Sequence, residues 1–331
     1  ILRSALTLSA ITGKGFHINN IRANRKIPGL RPQHYKSVQA ARKICNAVVD
    51  GNFISSTEIT FIPQKIRAKK LKIDIGTAGS TSLLLQTVFI PLSLAESSSK
   101  IVFTGGTHTL WAPCFDYLND YWLSTIRELG FSADIRLIEA GYYPAGGGKI
   151  TGTINPVKLI RPLNLVERGR LVRIIGKSTY SNLNRDIANR QKTQAFRRLA
   201  NYTSEISIRV EHIPSRHKGT MLFISAEYDN CISCHYALGE LHKSAEKVAD
   251  EAVDEFDTFF ASNGSIDRYL ADQLIIPLSI ADGPSVFTTS QITGHLITNA
   301  EITKKFVDCE INLHGELNQP GRIEITPVTC R

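Results

Sequence analysis

Three loops hold the residues whose types and spacing suit chemistry on phosphates. The first reads Ile21-Arg22-Ala23-Asn24-Arg25-Lys26-Ile27-Pro28-Gly29-Leu30-Arg31-Pro32-Gln33-His34. The second reads Thr104-Gly105-Gly106-Thr107-His108-Thr109-Leu110-Trp111-Ala112-Pro113. The third reads Ser290-Gln291-Ile292-Thr293-Gly294-His295-Leu296. One loop offers arginines, one offers glycines with a histidine, and one sets a histidine beside a glycine at a helix start. Arginine grips phosphate with paired donors. Gly-rich turns and helix N-termini present backbone N–H groups to anions. Together the loops describe a phosphate-handling cleft. Each piece alone is weak: a histidine before a helix commonly caps or packs, and Gly105–Gly106 and Gly146–Gly148 also read as plain turns. Gly76-Thr77-Ala78-Gly79-Ser80 has the look of a phosphate loop but lacks the lysine of the P-loop pattern.

Charge points the same way. The chain of 331 residues has a formal net charge of +9. No Asp or Glu occurs before Asp50, while Arg3, Lys14, Arg22, Arg25, Lys26, Arg31, Lys36, Arg42 and Lys43 do. Those nine equal the entire excess. Such a local surplus attracts polyanions, RNA backbones and nucleotide phosphates among them; a solvated basic face is the competing reading.

The elements that must position these loops form a repeat. An apolar helical run, a polar turn and a short strand recur three times: Leu2–Ile11 then Phe16–Ile21, Leu83–Leu94 then Ile101–Thr104, and Leu270–Ile280 then Val286–Thr289. Ile90-Pro-Leu-Ser-Leu-Ala95 and Ile276-Pro-Leu-Ser-Ile-Ala281 are nearly the same words. After each strand come a loop and a second helical run, at about Gln33–Val49, Phe115–Leu129 and Leu296–Phe306. Strands at Glu58–Ile62, Ala133–Ile138 and Arg322–Thr326 follow. This is a repeated α/β unit. Between the second and third copies lies a stretch with its own strands (Leu171–Ile175, Glu205–Val210, Thr220–Ala226) and a long amphipathic helix running from Leu238 and Leu241 through Ala245 and Val248 to Phe259. The expectation is a core of residues 1–165 and 264–331, with 166–263 inserted as a smaller α/β domain.

Six cysteines without regular spacing read as reduced thiols in a cytoplasmic protein. Cys231-Ile-Ser-Cys234-His235 matches the c-type haem attachment pattern. That reading needs export, and no signal segment is visible; the sole methionine is Met221. The motif alternates like a strand, so no haem is expected. The apolar runs are too short for a membrane span.

Ile1-Leu-Arg-Ser-Ala-Leu6, Arg22-Ala-Asn-Arg25, Pro28-Gly-Leu30, Gln33-His34, Gly76-Thr-Ala-Gly-Ser80, Gly105-Gly-Thr107, Tyr143-Pro-Ala-Gly-Gly-Gly148, Tyr269-Leu-Ala-Asp-Gln273 and Gly294-His-Leu-Ile-Thr-Asn299 occur in this order. In that series the chain resembles the RNA 3′-terminal phosphate cyclases, nearly end to end, with the insert matching weakly. The resemblance implies three repeated α/β units like the C-terminal domain of translation initiation factor 3, plus a thioredoxin-like insert. It implies ATP as cosubstrate, a divalent metal (Mg or Mn) with ligands unknown, and an RNA with a 3′-phosphate as substrate.

The resemblance also implies roles. His295 would take AMP from ATP, then pass it to the RNA 3′-phosphate, which the 2′-hydroxyl cyclises. Arg22 and Arg25 would neutralise phosphates, with Arg3 and Gln33 nearby. Gln86, Pro113, Tyr117 and Tyr269 would line the adenosine pocket. Asp272 and Gln273 would sit near the nucleophile, where a carboxylate can orient imidazole. The family also has a strand and a Gly-rich loop bearing a glutamate just before the Ile-Leu-Arg. This sequence begins at Ile1. That glutamate is expected to help hold the metal. The alternative is a catalytically inert relative acting as an RNA-binding or ribosome-assembly factor; such relatives lack the histidine present here as His295. An enolpyruvyl transferase shares a repeated architecture but needs no histidine nucleophile.

Overall fold

Each repeated stretch closes into its own small sheet. The computed structural model describes residues 1–328, so Cys330 lies outside the described residues. The first stretch runs α1 (Leu2–Thr12), β1 (Phe16–Ile18), α2 (Pro32–Cys45), β2 (Val48–Asp50) and β3 (Ile59–Ile62). Its antiparallel sheet has the order β1-β3-β2. Gly13, at φ +74°, stops α1 and donates its N–H to the Ser9 carbonyl. The expected helix to Val49 ends at Cys45 instead. Asn46 turns left-handed at φ +48°, a conformation asparagine tolerates. Val48 and Val49, both β-branched, then pair with Ile62 and Phe61 of β3.

The second stretch runs β4 (Lys70–Asp74), α3 (Thr81–Ser93), β5 (Ser99–Gly105), a π-helical turn (Tyr117–Trp122), α4 (Leu123–Glu128), β6 (Ser132–Glu139) and β7 (Gly148–Asn155). The sheet order is β4-β5-β7-β6, with β4 parallel to β5 and the other pairs antiparallel. Then come β8 (Asn164–Leu165) and the elements of the insert: β9 (Leu171–Ser181), α5 (Arg185–Leu199), β10 (Ile206–His212), β11 (Gly219–Tyr228), β12 (Ile232–Leu238) and α6 (Ala245–Ala261). The third stretch finishes with α7 (Leu270–Ser279), β13 (Ser285–Thr289), α8 (Gly294–Phe306), β14 (Cys309–His314) and β15 (Gly321–Pro327). Its order, β14-β15-β13-β8, repeats that of the second sheet, again with one parallel pair. The first sheet has the same order with three strands rather than four.

The helices of the units meet one another and the sheets lie outside them. α1 packs on α2, α3 and α8; α7 packs on α8. Of α3 only Leu83 escapes full burial, as befits a helix apolar on all sides. Phe89 of α3 meets Trp122 edge-to-face at 4.9 Å, tying the π-helical turn to this centre.

The stretch expected as an insert carries the sheet β10-β9-β11-β12 and an apolar cluster around Phe256 and Phe259. β9 and β10 run parallel through α5, while β11 is antiparallel to both its neighbours. The long helix begins later than its periodicity indicates. Leu238 belongs to β12 and Leu241 is exposed. Ser244 caps α6 by accepting from the Lys247 N–H at 3.1 Å.

Candidate active site

Four helices bring polar side chains into one narrow cavity of about 40 Å³. Arg3 comes from α1, Gln86 from α3, Asp272 and Gln273 from α7, and Asn299 from α8. Arg3 donates through Nη1 to Gln86 Oε1 at 3.2 Å. Gln86 in turn donates to the Gln273 side chain. Asn299 donates through Nδ2 to Asp272 Oδ2 at 3.0 Å and accepts from Ser4 Oγ at 2.6 Å. Burial raises the Asp272 carboxyl, and Arg3 and then His295 pull it back. His295 lies one helical turn before Asn299 on α8, and Asn299 is the residue that holds Asp272. His295 sits exposed in the first turn of α8. Thr293 caps that turn, accepting from the Leu296 N–H at 3.1 Å. An exposed imidazole at a helix N-terminus stands where anions are favoured.

The arginine loop holds an uncompensated cluster of cations. Burial, then Arg31, then Arg25 lower the basicity of Arg22. Burial, Arg22 and Arg31 push His34 down to about 4. Cations that repel one another in this way are poised for an anion. Arg22 also braces its own loop: at φ +56° it turns back and donates to the carbonyls of Ile27 at 2.7 Å and Gly29 at 3.2 Å. Gly29 must be glycine, because a Cβ there would lie 2.2 Å from the Ser55 carbonyl oxygen. Arg25 is exposed. Gln33 reaches across to the second unit, where its Oε1 accepts the N–H of Ser80 at 3.0 Å.

The glycine loop does a different job from the one its composition implies. The Gly106 N–H is spent on the Gly79 carbonyl at 2.8 Å, and a Cβ on Gly106 would lie 2.4 Å from the Ala78 oxygen. These glycines let two turns touch. His108 is sealed, at 1% exposure. Its ring bridges Thr107 Oγ1 at 2.8 Å and Asp116 Oδ2 at 3.0 Å. Lys177 of β9 pairs with Asp116 and, at 2.8 Å, with Asp120. A histidine closed off in this way has no access to substrate.

Of the histidines in the three loops, His108 is sealed, His34 is part-buried and accepts the Arg31 N–H at 3.3 Å, and His295 is exposed. The family model described as RNA 3′-terminal phosphate cyclase matches residues 1–313. A protein of that name from Pyrococcus abyssi is 36% identical over 325 residues, 98% of this chain and 94% of its own length. One from Methanosarcina barkeri is 38% identical over 315 residues, 95% of this chain and 92% of its own. One from Methylococcus capsulatus is 35% identical over 314 residues, 92% of this chain and 87% of its own.

The chain belongs to the RNA 3′-terminal phosphate cyclase family.

The residues that the cyclase resemblance assigns to an adenosine pocket fall in two groups. Gln86 and Gln273 share the cavity already described, and Tyr269 is half-exposed at the start of α7, its hydroxyl accepting from Arg268 at 2.8 Å. Pro113 is partly buried on a loop that the insert steadies: Tyr236 Oη donates to the Ala112 carbonyl at 2.9 Å. Tyr117 is fully buried and donates to the Asp267 carboxylate at 2.9 and 3.0 Å. Asp267 then accepts from the Tyr269 and Leu270 N–H groups at 2.6 and 2.8 Å. Tyr117 thus lies beneath the start of α7 and supports it from below.

Asn299, Ser4 and Asp267 join the hydrogen bonds around the cavity and the start of α7, and sequence reasoning does not single them out. Asn299 has a signal, since it follows His295 by one helical turn and shares its face. Asp267 has none, because its partners come from distant parts of the chain. Among the described residues no three His, Cys, Asp or Glu side chains converge to hold a metal ion. The Cys231-to-His235 motif is on and beside β12, where Cys234 packs into the main core while His235 meets Phe259 of the insert at 5.4 Å. Burial pushes the Cys231 thiol up to about 12 and His235 down to about 3. Among the described residues no helix is long and apolar enough to cross a membrane.

Proposed function

We propose that the chain uses ATP to convert the 3′-terminal phosphate of an RNA to a 2′,3′-cyclic phosphate. A phosphate monoester is a poor electrophile because its oxygens leave badly. Attaching AMP supplies a good leaving group, and a covalent enzyme intermediate divides the barrier. In this reading His295 attacks the α-phosphorus of ATP, the bond to the β-phosphate oxygen breaks, and pyrophosphate leaves. An oxygen of the RNA 3′-phosphate then takes the AMP, breaking the nitrogen–phosphorus bond. The 2′-hydroxyl attacks the 3′-phosphorus, loses its proton, and AMP departs with the bridging oxygen.

The observation that carries this reading is an exposed imidazole, His295, in the first turn of α8, the helix that also brings Asn299 into the cavity of Arg3 and Asp272. The uncompensated arginine loop supports it. Arg22 and Arg25 would meet phosphates, with Arg3 and Gln33 near them. Gln86, Gln273, Tyr269 and Pro113 would surround the adenosine, with Tyr117 holding the floor. Residues 166–263 would form the inserted domain, steadying the second loop from outside. The test is a 3′-phosphorylated oligoribonucleotide incubated with ATP. The end group should become resistant to phosphatase while AMP and pyrophosphate appear one for one. A phosphatase-sensitive end after full ATP exposure, or cyclisation without nucleotide, would contradict the proposal.

A further inference from the structure

We propose that the open face of the sheet β4-β5-β7-β6 is the track for the single-stranded RNA leading to the reacting 3′ end. The inference rests on the cyclase reading above. Leu71, Ile73, Ile101, Phe103 and Ile150 are buried on the inner side, so the alternate residues point to solvent. Across the ladder Lys70 faces Lys100, Lys72 faces Val102, and Thr104 faces Lys149. All four lysines are exposed. Like charges set directly opposite each other weaken a sheet unless something neutralises them. The arginines at its margin are neutralised: Arg136 by Asp134 at 2.8 Å, and Arg216 by Glu139 at 3.1 Å. Among the described residues the four lysines enter no ion pair.

The repeat supplies an internal control, because the same face occurs three times in one chain. On the first sheet it presents Val48, Asp50, Thr60 and Ile62. On the third it presents Glu310, Asn312, His314, Arg322 and Glu324, with Arg322 paired to Glu324 at 2.9 Å. Neither carries a lysine. Shared architecture therefore does not account for the lysines of the second face, where four lysines outnumber Asp74, the exposed acid at the end of β4. Charge complementarity selects a polyanion. At the loop end of this face lies a groove of about 470 Å³ whose charged lining is Lys72, Lys149 and Arg216 with Asp74 and Glu139, the last paired to Arg216. It opens beside the turn of Gly76–Ser80, which Gln33 joins to the helix following the arginine loop. The lysines thus lead toward the phosphate-binding loops. Their long stems and the threonine hydroxyls suit backbone phosphates, which position a strand without reading its bases.

The test uses the full chain with Lys70, Lys72, Lys100 and Lys149 all changed to Gln, which keeps the stems and removes the charges. A second variant changes Lys192, Lys247, Lys304 and Lys305 to Gln as a charge-matched control. Three readouts are compared: covalent labelling by ATP alone, cyclisation of a 3′-phosphorylated dinucleotide, and binding and cyclisation of a 3′-phosphorylated 12-mer. The first variant should bind the 12-mer at least about tenfold more weakly at low salt, with a log–log salt slope shallower by roughly 0.7 for each phosphate that is no longer neutralised. Labelling and dinucleotide cyclisation should be unchanged, and the control should match the parent throughout. Equal losses for dinucleotide and 12-mer, an equal loss in the control, or an unaltered slope would overturn the track. If the parent cyclises neither substrate, the cyclase reading fails, and the binding titration still decides the track.

Discussion

At the scale of single residues, the two arginines of the first loop separate by structure. Arg25 is exposed and, among the described residues, its side chain enters no hydrogen bond or ion pair, whereas the Arg22 side chain holds two carbonyls of its own turn. Arg25→Ala should melt like the parent and lose on the order of 10²–10³-fold in turnover, the usual cost of removing a donor to transition-state charge. Arg22→Ala should lose turnover and stability together. Thermal melts beside single-turnover rates distinguish the two; a loss of stability in Arg25→Ala equal to that in Arg22→Ala would refute the distinction. His34 adds a pH dependence. Its folded value, about 4, lies below its ordinary value of 6.5, so the unfolded chain binds more protons between these limits. Stability is thus present above pH about 6.5 and is lost as pH falls toward about 4, by on the order of 1–2 kcal/mol once solvent screening is allowed for. His34→Gln should flatten that part of the denaturation-against-pH curve.

At the scale of elements, the second loop is held by charges that reach it from the insert. Lys177 of β9 neutralises Asp116, which holds His108 against Thr107. Lys177→Met would leave a buried carboxylate with only an imidazole for company, a change that typically costs about 3–5 kcal/mol. Urea midpoints should show it, and adding Asp116→Asn should recover part of the loss. Recovery of nothing would mean that Lys177 acts through Asp120 or Phe223 instead. The repeat itself is legible in the sequence because the words Ile90–Ala95 and Ile276–Ala281 recur and because their strands follow at equal distance. The leading strands β4 and β8 are not. Lys70-Leu-Lys-Ile-Asp74 alternates correctly for a strand with one face in water, but its charges make it look like linker. β8 spans only Asn164–Leu165, too short for any period to show. The structure brings Arg3, Gln86, Asp272 and Gln273, polar residues that the motifs single out, into one cavity. The burial of Tyr117 and the contact of the two glycine turns do not show in the sequence, because they depend on which side chain lies beneath another.

At the scale of the whole molecule, the nine basic residues before Asp50 equal the net charge of +9 and four further exposed lysines gather on the second sheet, so association with RNA should depend steeply on salt. Affinity for a 3′-phosphorylated oligonucleotide should fall with a log–log slope near roughly −0.7 for each phosphate neutralised. A flat response would reduce the basic surface to a solvated one. The central claim concerns the place where the three units and their helices converge, and one measurement tests it most directly. The protein is incubated with ATP labelled at the α-phosphate, quenched, and the covalent label is located by peptide mapping. The account predicts one AMP on His295, labile to acid and stable to alkali as a phosphoramidate is, absent in His295→Ala and retained in His108→Ala. Label on a lysine, or label that persists in His295→Ala, would contradict it.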